Sequence, residues 1–413
     1  MSKLILTNIS ELVTCRGNAP KCGKEMSELG IIRGGCVVIE NGLILEVGKS
    51  RDILRKHNKG TYRMIDCSNN AVLPGFIDSH THFVFGGYRQ DEFAMRLSGA
   101  SYMEILESGG GITNTVKSTR KATIDELVEE GMKRAYSMLS FGVTTAEGKS
   151  GYGLDKDTEI KQLKVMKEIN EEHPIDIVPT FLGAHSVPPE FKGRKEAFLN
   201  YLISHVLPDI KEKELAGFVD IFCEKGVFDI EQSRRYLRKA KEMGFKLKLH
   251  ADEITGIGGA ELGVELKAVS ADHLLQASDV GIVKLAESGV IATLLPATAF
   301  CLKEKYADAR KMIDAGCAVS LASDFNPGSC FTNSIPLVIA LAAIQMQMSN
   351  EEIVSALTIN GACALDRQDS IGSIEKGKLA DILILKYPSV NFLSYNIGMN
   401  IVKTVIKKGE IIY

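Results

Sequence analysis

His80 and His82 stand two residues apart in Gly75-Phe-Ile-Asp-Ser-His-Thr-His82, where the apolar run that starts at Ala71 comes to its end. In extended backbone an i, i+2 pair points to one face, roughly 7 Å apart along the chain, so two imidazoles can converge on one ion. A buried, hydrogen-bonded histidine pair is the plainer reading of the same spacing, and further donors must decide between the two. Of the eight histidines, His80, His82, His185, His250 and His273 close apolar runs of strand character. The other three, His57, His173 and His205, lie in polar or helical context and are expected to face solvent or to cap helices. Asp324 closes another apolar run, Ala318 to Ser323; its alternative role is a helix cap before Phe325. His80, His82 and His250 with Asp324 form a donor set suited to Zn2+ or Fe2+ rather than to Ca2+ or Mg2+, which take oxygen shells.

Such a site lowers the pKa of a bound water toward about 7 to 9 and polarises a carbonyl oxygen. It then needs a proton carrier. Glu253, three residues past His250, can take a proton from water and pass it to a leaving nitrogen, with Asp252 as the competing candidate and helix capping as that residue's other role. His273, at the end of Ser270-Ala-Asp-His273, can steady the hydroxide or an oxyanion.

These residues come together only if the strand ends do. From residue 73 to 365 the chain alternates helical patterns with eight apolar runs: 72–77, 143–145, 175–182, 218–223, 247–249, 268–270, 290–295 and 318–322. Eight is the number a (β/α)8 barrel needs, and such a barrel carries its chemistry at the C-terminal strand ends with strands one and eight adjacent. Thr123-x-x-Glu126 and Ser349-x-x-Glu352 predict capped helix starts, the second opening a helix from Glu351 to Leu365. Strand-like segments at both termini, including a hairpin signal at Asn41-Gly42, predict one small β-sandwich domain from 1–72 and 366–413, with the barrel over 73–365. The apolar helical stretch after Ile335 either packs on the barrel or serves a dimer interface.

A net charge of −3 with no sustained basic stripe argues against nucleic-acid and membrane partners. Nine scattered cysteines without a CxxC pair read as free thiols in a reducing, cytoplasmic setting. Gly86-Gly87 and Gly109-Gly110-Gly111 lack the Lys-Ser/Thr of a phosphate loop, so they read as structural or lid-loop turns.

Gly75-Phe-Ile-Asp-Ser-His-Thr-His82, the later His250 and His273, and Ser323-Asp324 resemble the amidohydrolase superfamily of metal-dependent barrel hydrolases. The segments His80 to Arg89, Gly109 to Ile112, Glu147 to Gly153, Phe181 to His185 and Ser323 to Ser329 sharpen the resemblance to one branch, over nearly the whole chain. That resemblance implies hydrolysis of the endocyclic C–N bond of 4-imidazolone-5-propanoate to N-formimidoyl-L-glutamate, in histidine degradation, by a homodimer. It implies one zinc or iron (Fe2+ or Fe3+) per chain on His80, His82, His250 and Asp324, with Glu253, His273 and Asp324 as catalytic groups. It also implies that Arg89 grips the propionate, while Tyr152, His185, Glu253, Asn326, Gly328 and Ser329 hold the rest of the substrate. On residue type alone, Arg89 reads as a surface salt-bridge residue and Tyr152 as packing. A metal-dependent ring deaminase, or another cyclic-amide hydrolase, is the alternative enzyme, and a non-catalytic barrel scaffold the alternative class. Glu224-Lys225, after the fourth run, is where a second metal ligand would be sought.

Overall fold

A computed structural model describes residues 3–57, 59–99, 104 and 110–413. Gly109, in the triple-glycine turn, lies outside the described residues.

The centre is an eight-stranded parallel sheet with strands in sequential order: Phe76–Asp78, Val143–Lys149, Asp176–Ala184, Phe218–Cys223, Lys246–Ala251, Ser270–His273, Ile291–Leu294 and Val319–Leu321. Strands one and eight meet just beyond their ends. Ser323 donates to Asp78 from its backbone N–H (2.9 Å) and its hydroxyl (2.6 Å), Asp324 N–H donates to His80 O (3.0 Å), and His82 N–H to Phe325 O (2.9 Å). The sheet is thus a closed (β/α)8 barrel. Helices pack outside it, and the short helix Ile359–Ala364 plugs its lower end: Ala362 joins Ile77, Val178 and Phe218 in an apolar cluster.

The termini build two further sheets. One orders Leu43–Lys49, Gly35–Glu40, Lys3–Ile9 and Arg63–Asp66; the other orders Glu410–Ile411, Val402–Lys407, Ile382–Leu385, Ala71–Pro74 and Glu11–Leu12. Leu4, Leu6, Val37 and Ile39 from the first bury against Val72, Ile382, Ile384 and Ile406 from the second, giving the small sandwich. Its hairpin turns at Asn41 (φ 53°) and Gly42 (φ 81°), the two left-handed residues that a type I′ turn requires.

Two sequence expectations are corrected. The apolar run 72–77 is two strands: Ala71–Pro74 pairs with Ile382–Leu385 of the small domain, and Phe76–Asp78 with Val143–Lys149. Gly75 makes the crossing because a Cβ there would lie 2.2 Å from Thr144 Oγ1. The helix expected over 351–365 breaks at Thr358 (φ −124°, ψ −94°) into Asn350–Leu357 and Ile359–Ala364; the Thr358 hydroxyl donates to Val354 O (2.6 Å), competing with the backbone ladder. Of the two roles expected for His173 the structure shows the helix cap: it closes its helix and is buried, with the Tyr136 ring edge-on at 4.3 Å.

Both capping boxes form, at Thr123/Glu126 and at Ser349/Glu352. The helix Ile335–Ile344 is buried through Ala342 and leaves its last residue, Ile344, exposed. All nine cysteines are free. Among the described residues no helix is long and apolar enough to cross a membrane.

Candidate active site

The C-terminal strand ends open on a cavity of about 730 Å3. His82, Arg89, Tyr152, His185, His250, Glu253, His273, Asp324, Asn326, Gly328 and Ser329 all line it, and His80 lies beneath, fully buried. Every residue singled out for the site is therefore gathered in one place.

Four donors converge at its floor. His80 Nε2 and His82 Nε2 are 3.3 Å apart, His82 Nε2 and His250 Nε2 3.4 Å, and Asp324 Oδ1 lies 3.5 Å from His80 Nε2 and 3.6 Å from His82 Nε2. A tetrahedral ion with bonds of about 2.1 Å separates its ligands by roughly 3.4 Å, which these four separations match. Two of the three outer nitrogens lie against carboxylates, as is usual for metal-binding imidazoles, while buried His82 Nδ1 has no hydrogen-bond partner. His80 Nδ1 sits 2.7 Å from Asp272 Oδ2; His250 Nδ1 sits 3.0 Å from Asp220 Oδ2, an ion-pair contact off the N–H axis. Asp324 directs Oδ1 inward because Thr298 donates to its Oδ2 at 2.6 Å; it caps no helix.

Burial, with the charges of Lys149 and the neighbouring rings behind it, holds His80 well below the ordinary imidazole range, and burial does the same to His82. Both are neutral and able to ligate. Burial also depresses His250, but Asp220 outweighs it and the pKa ends up raised. Burial and the nearby Asp324 carboxylate push Glu253 up to about 8, which suits a group that takes and returns a proton near neutrality. Glu253 Oε2 lies 3.6 Å from His273 Nε2.

Asp252, the rival to Glu253, is spent on structure: its two oxygens accept the N–H groups of Ile257, Gly258, Gly259 and Ala260 at 2.8–3.0 Å. Glu224 is spent likewise on Lys225, Ile254 and Thr255, so it anchors the loop that carries Glu253. Left-handed backbone gathers at this rim, at Asp252 (φ 49°), His273 (77°), Leu274 (61°) and Asp324 (51°). Such strain costs about 1 kcal/mol or more per residue and is held in place by the surrounding bonds.

The cavity wall is equally fixed. His185 donates from Nδ1 to Gly151 O (3.1 Å) and stacks on His82 with centroids 5.2 Å apart. Tyr152 is held by its N–H to Gln162 Oε1 (3.1 Å), and buried Glu159 accepts the N–H groups of Gly151, Gly153 and Leu154 around it. The Asn326 amide is used within its own loop, accepting from Gly328 N and Ser329 N at 2.8 Å each. Arg89 forms the expected salt bridge, to Glu92 at 2.8 Å, but its side chain is only 17% exposed and faces the cavity rather than the surface.

Sequence reasoning missed the charged layer under the metal donors. Lys149 Nζ contacts Asp220 (2.7 Å), Glu147 (3.0 Å) and Asp272 (3.4 Å), and Lys248 Nζ contacts Glu147 (3.0 Å), all fully buried. The available signal was charge inside runs that otherwise read as interior strand. Thr298, Glu92 and Glu159 carried no comparable signal.

The amidohydrolase family model matches residues 71–412, and the chain belongs to the amidohydrolase family. Within that family it is 59% identical to an imidazolonepropionase from Clostridium tetani, over 99% of this chain and 98% of the relative. It is 58% identical to an imidazolonepropionase from Parabacteroides distasonis, over 99% of each. Among solved structures, an adenosine deaminase from Xanthomonas campestris with bound zinc matches with a TM-score of 0.71 at 17% identity, covering 99% of this chain and 92% of that one; the likeness is one of fold.

Proposed function

We propose that the chain hydrolyses the endocyclic C–N bond of 4-imidazolone-5-propanoate to N-formimidoyl-L-glutamate, as an imidazolonepropionase of histidine degradation. The observation that carries the reading is identity above half over the full length to proteins of that name. The cavity supports it, with three histidines and Asp324 at the floor and a guanidinium in the wall.

His80, His82, His250 and Asp324 would hold one zinc or iron ion per chain, which would supply an acidified water and a polarised ring carbonyl. Glu253 takes the proton as water adds to the ring carbonyl carbon. The ring C–N bond then breaks with its electron pair passing to nitrogen, and Glu253 delivers the proton there. His273 steadies the developing charge from beside Glu253, and Asp324, which would also ligate the ion, orients the attacking oxygen. Arg89 receives the propionate, since a guanidinium offers a carboxylate two parallel hydrogen bonds. Tyr152, His185, Asn326, Gly328 and Ser329 enclose the ring and backbone of the substrate. The family resemblance supports a homodimer acting on a small molecule, while the scattered cysteines and the charge pattern support a cytoplasmic protein without nucleic-acid or membrane partners. We retain the division into a small domain (1–72 with 366–413) and a barrel (73–365), with the turn at Gly75 as the crossing.

The test is turnover of freshly generated imidazolonepropionate by metal-quantified protein, followed in the ultraviolet, beside Glu253→Gln. Wild type consumes the substrate with one metal per chain, and the variant keeps the metal but loses on the order of 10²- to 10⁴-fold in kcat. A metal-loaded wild type that leaves the compound untouched overturns the substrate assignment.

A further inference from the structure

The helix Gln90–Leu97 and its capping residue Arg89 turn one face to the cavity: Arg89, Glu92, Phe93 and Arg96 all line it. The spacing i, i+3, i+4, i+7 is a single helical stripe. Glu92 is the anomaly in that stripe, because a carboxylate in the wall of a cavity that receives a carboxylate repels it. Its bonds explain its presence. Oε2 accepts from Arg89 Nε (2.8 Å) and Gly111 N (3.0 Å), while Oε1 accepts from Asn114 Nδ2 (3.0 Å). Three donors from three places in the chain converge on one side chain that is 12% exposed. Burial pushes the Glu92 pKa up, but these bonds outweigh it and hold the group ionised.

A guanidinium has one Nε edge and one end-on Nη1/Nη2 edge with which to meet a carboxylate. Glu92 occupies the Nε position. On the opposite side the guanidinium lies against Gly328, where a Cβ would fall 2.1 Å from Nη1. We propose that Glu92 is the positioning residue for carboxylate recognition: it clamps Arg89 so that the end-on Nη edge faces the substrate. It also ties that orientation to the wall segment starting at Gly111. The inference rests on the substrate reading above and adds a specificity determinant to it.

Glu92→Gln keeps the shape and removes the charge that holds Nε. It is expected to raise KM for imidazolonepropionate about tenfold with kcat within about twofold, because a uniform binding contact is loosened and the chemistry is not touched. Metal content and melting temperature should stay at wild-type values. Arg89→Met and the double variant separate the two claims. If wild type does not turn over imidazolonepropionate, the substrate reading fails; if it does and Arg89→Met leaves KM unchanged, Arg89 does not receive the propionate and the clamp is overturned with it. If Arg89→Met raises KM but Glu92→Gln leaves it unchanged or lowers it, the substrate reading stands and the clamp is overturned. In the Arg89→Met background Glu92→Gln should cause no further rise, since Glu92 acts only through Arg89. Should Glu92→Gln not fold, Asn114→Ala frees one oxygen of Glu92 and carries the test, with KM raised about threefold supporting the clamp and an unchanged KM overturning it.

Discussion

Asp272 does not line the cavity and is not one of the four converging donors, yet it holds one of them, and the geometry predicts that metal affinity depends on it. Its Oδ2 lies 2.7 Å from His80 Nδ1 and 3.4 Å from Lys149 Nζ, and its Oδ1 accepts from the Ser270 hydroxyl at 2.6 Å. Asp272→Asn can place its oxygen toward His80 and Lys149 and donate its amide to Ser270, so shape and bond count survive while the charge is lost. Lys149 stays paired through Asp220 (2.7 Å) and Glu147 (3.0 Å), which limits damage to the fold. His80 keeps its tautomer but becomes a weaker donor. Partners of this kind are worth about 10- to 100-fold in metal affinity, and a pure charge loss belongs at the lower end, near tenfold or about 1.4 kcal/mol. Asp272→Ala leaves the Nδ1–H without its acceptor, freeing the ring to take the tautomer with hydrogen on Nε2, and belongs near hundredfold. Chelator competition with zinc measures the dissociation constant directly, with circular dichroism reporting that the variants are folded. If both variants bind zinc within about twofold of wild type, the carboxylate does not orient His80 and the reasoning is wrong.

Two further perturbations probe other parts of the chain. Gly328→Ala puts a methyl 2.1 Å from Arg89 Nη1, so the guanidinium must move; KM should rise about tenfold with little change in melting temperature, and an unchanged KM would mean that Arg89 does not meet the substrate in this pose. Buried His173 accepts the Ile175 N–H on Nδ1 (3.1 Å), and burial drops its pKa from 6.5 to about 4. As pH falls from 6.5 to about 4, the unfolded chain takes up a proton there that the native one refuses, so stability is lost through that window. His173→Asn keeps an acceptor that does not titrate; urea unfolding at pH about 7 and about 4.5 should show the wild type losing on the order of 2 kcal/mol more than the variant, and equal losses would refute the assignment.

The barrel was legible because its strands repeat, and the site because parallel closure forces strand-end residues together wherever they fall in sequence. His80, His185, His250, His273 and Asp324 needed no information beyond their places at the ends of apolar runs. What stayed hidden depended on pairing across the chain. The run from Val72 to Ile77 shows one unbroken apolar pattern, and only its partners, Ile382–Leu385 on one side of Gly75 and Val143 on the other, reveal two sheets. His173 sits in a polar stretch, and its burial comes from Tyr136, far away in sequence.

The charged layer was hidden for a different reason. Lys246-Leu-Lys-Leu-His250 alternates polar with apolar, which ordinarily means polar outside. In this strand the order is inverted: Leu247 and Leu249 are buried in the core shared with the surrounding helices, while Lys248 and His250 point into the barrel. A period of two separates the faces of a strand but does not say which one is inside. That inversion also gives the buried charges a reason to be there. Two ammonium groups, Lys149 and Lys248, sit among three carboxylates, Glu147, Asp220 and Asp272, which leaves one negative charge, and Asp324 at the floor of the cavity adds a second. Unbalanced charge at this depth is costly, and a divalent cation among the four donors brings the set to neutrality. Without a metal, Asp220 raises the pKa of His250 and favours a proton there, which meets part of the same demand. The layer beneath the four donors therefore favours a cation among them.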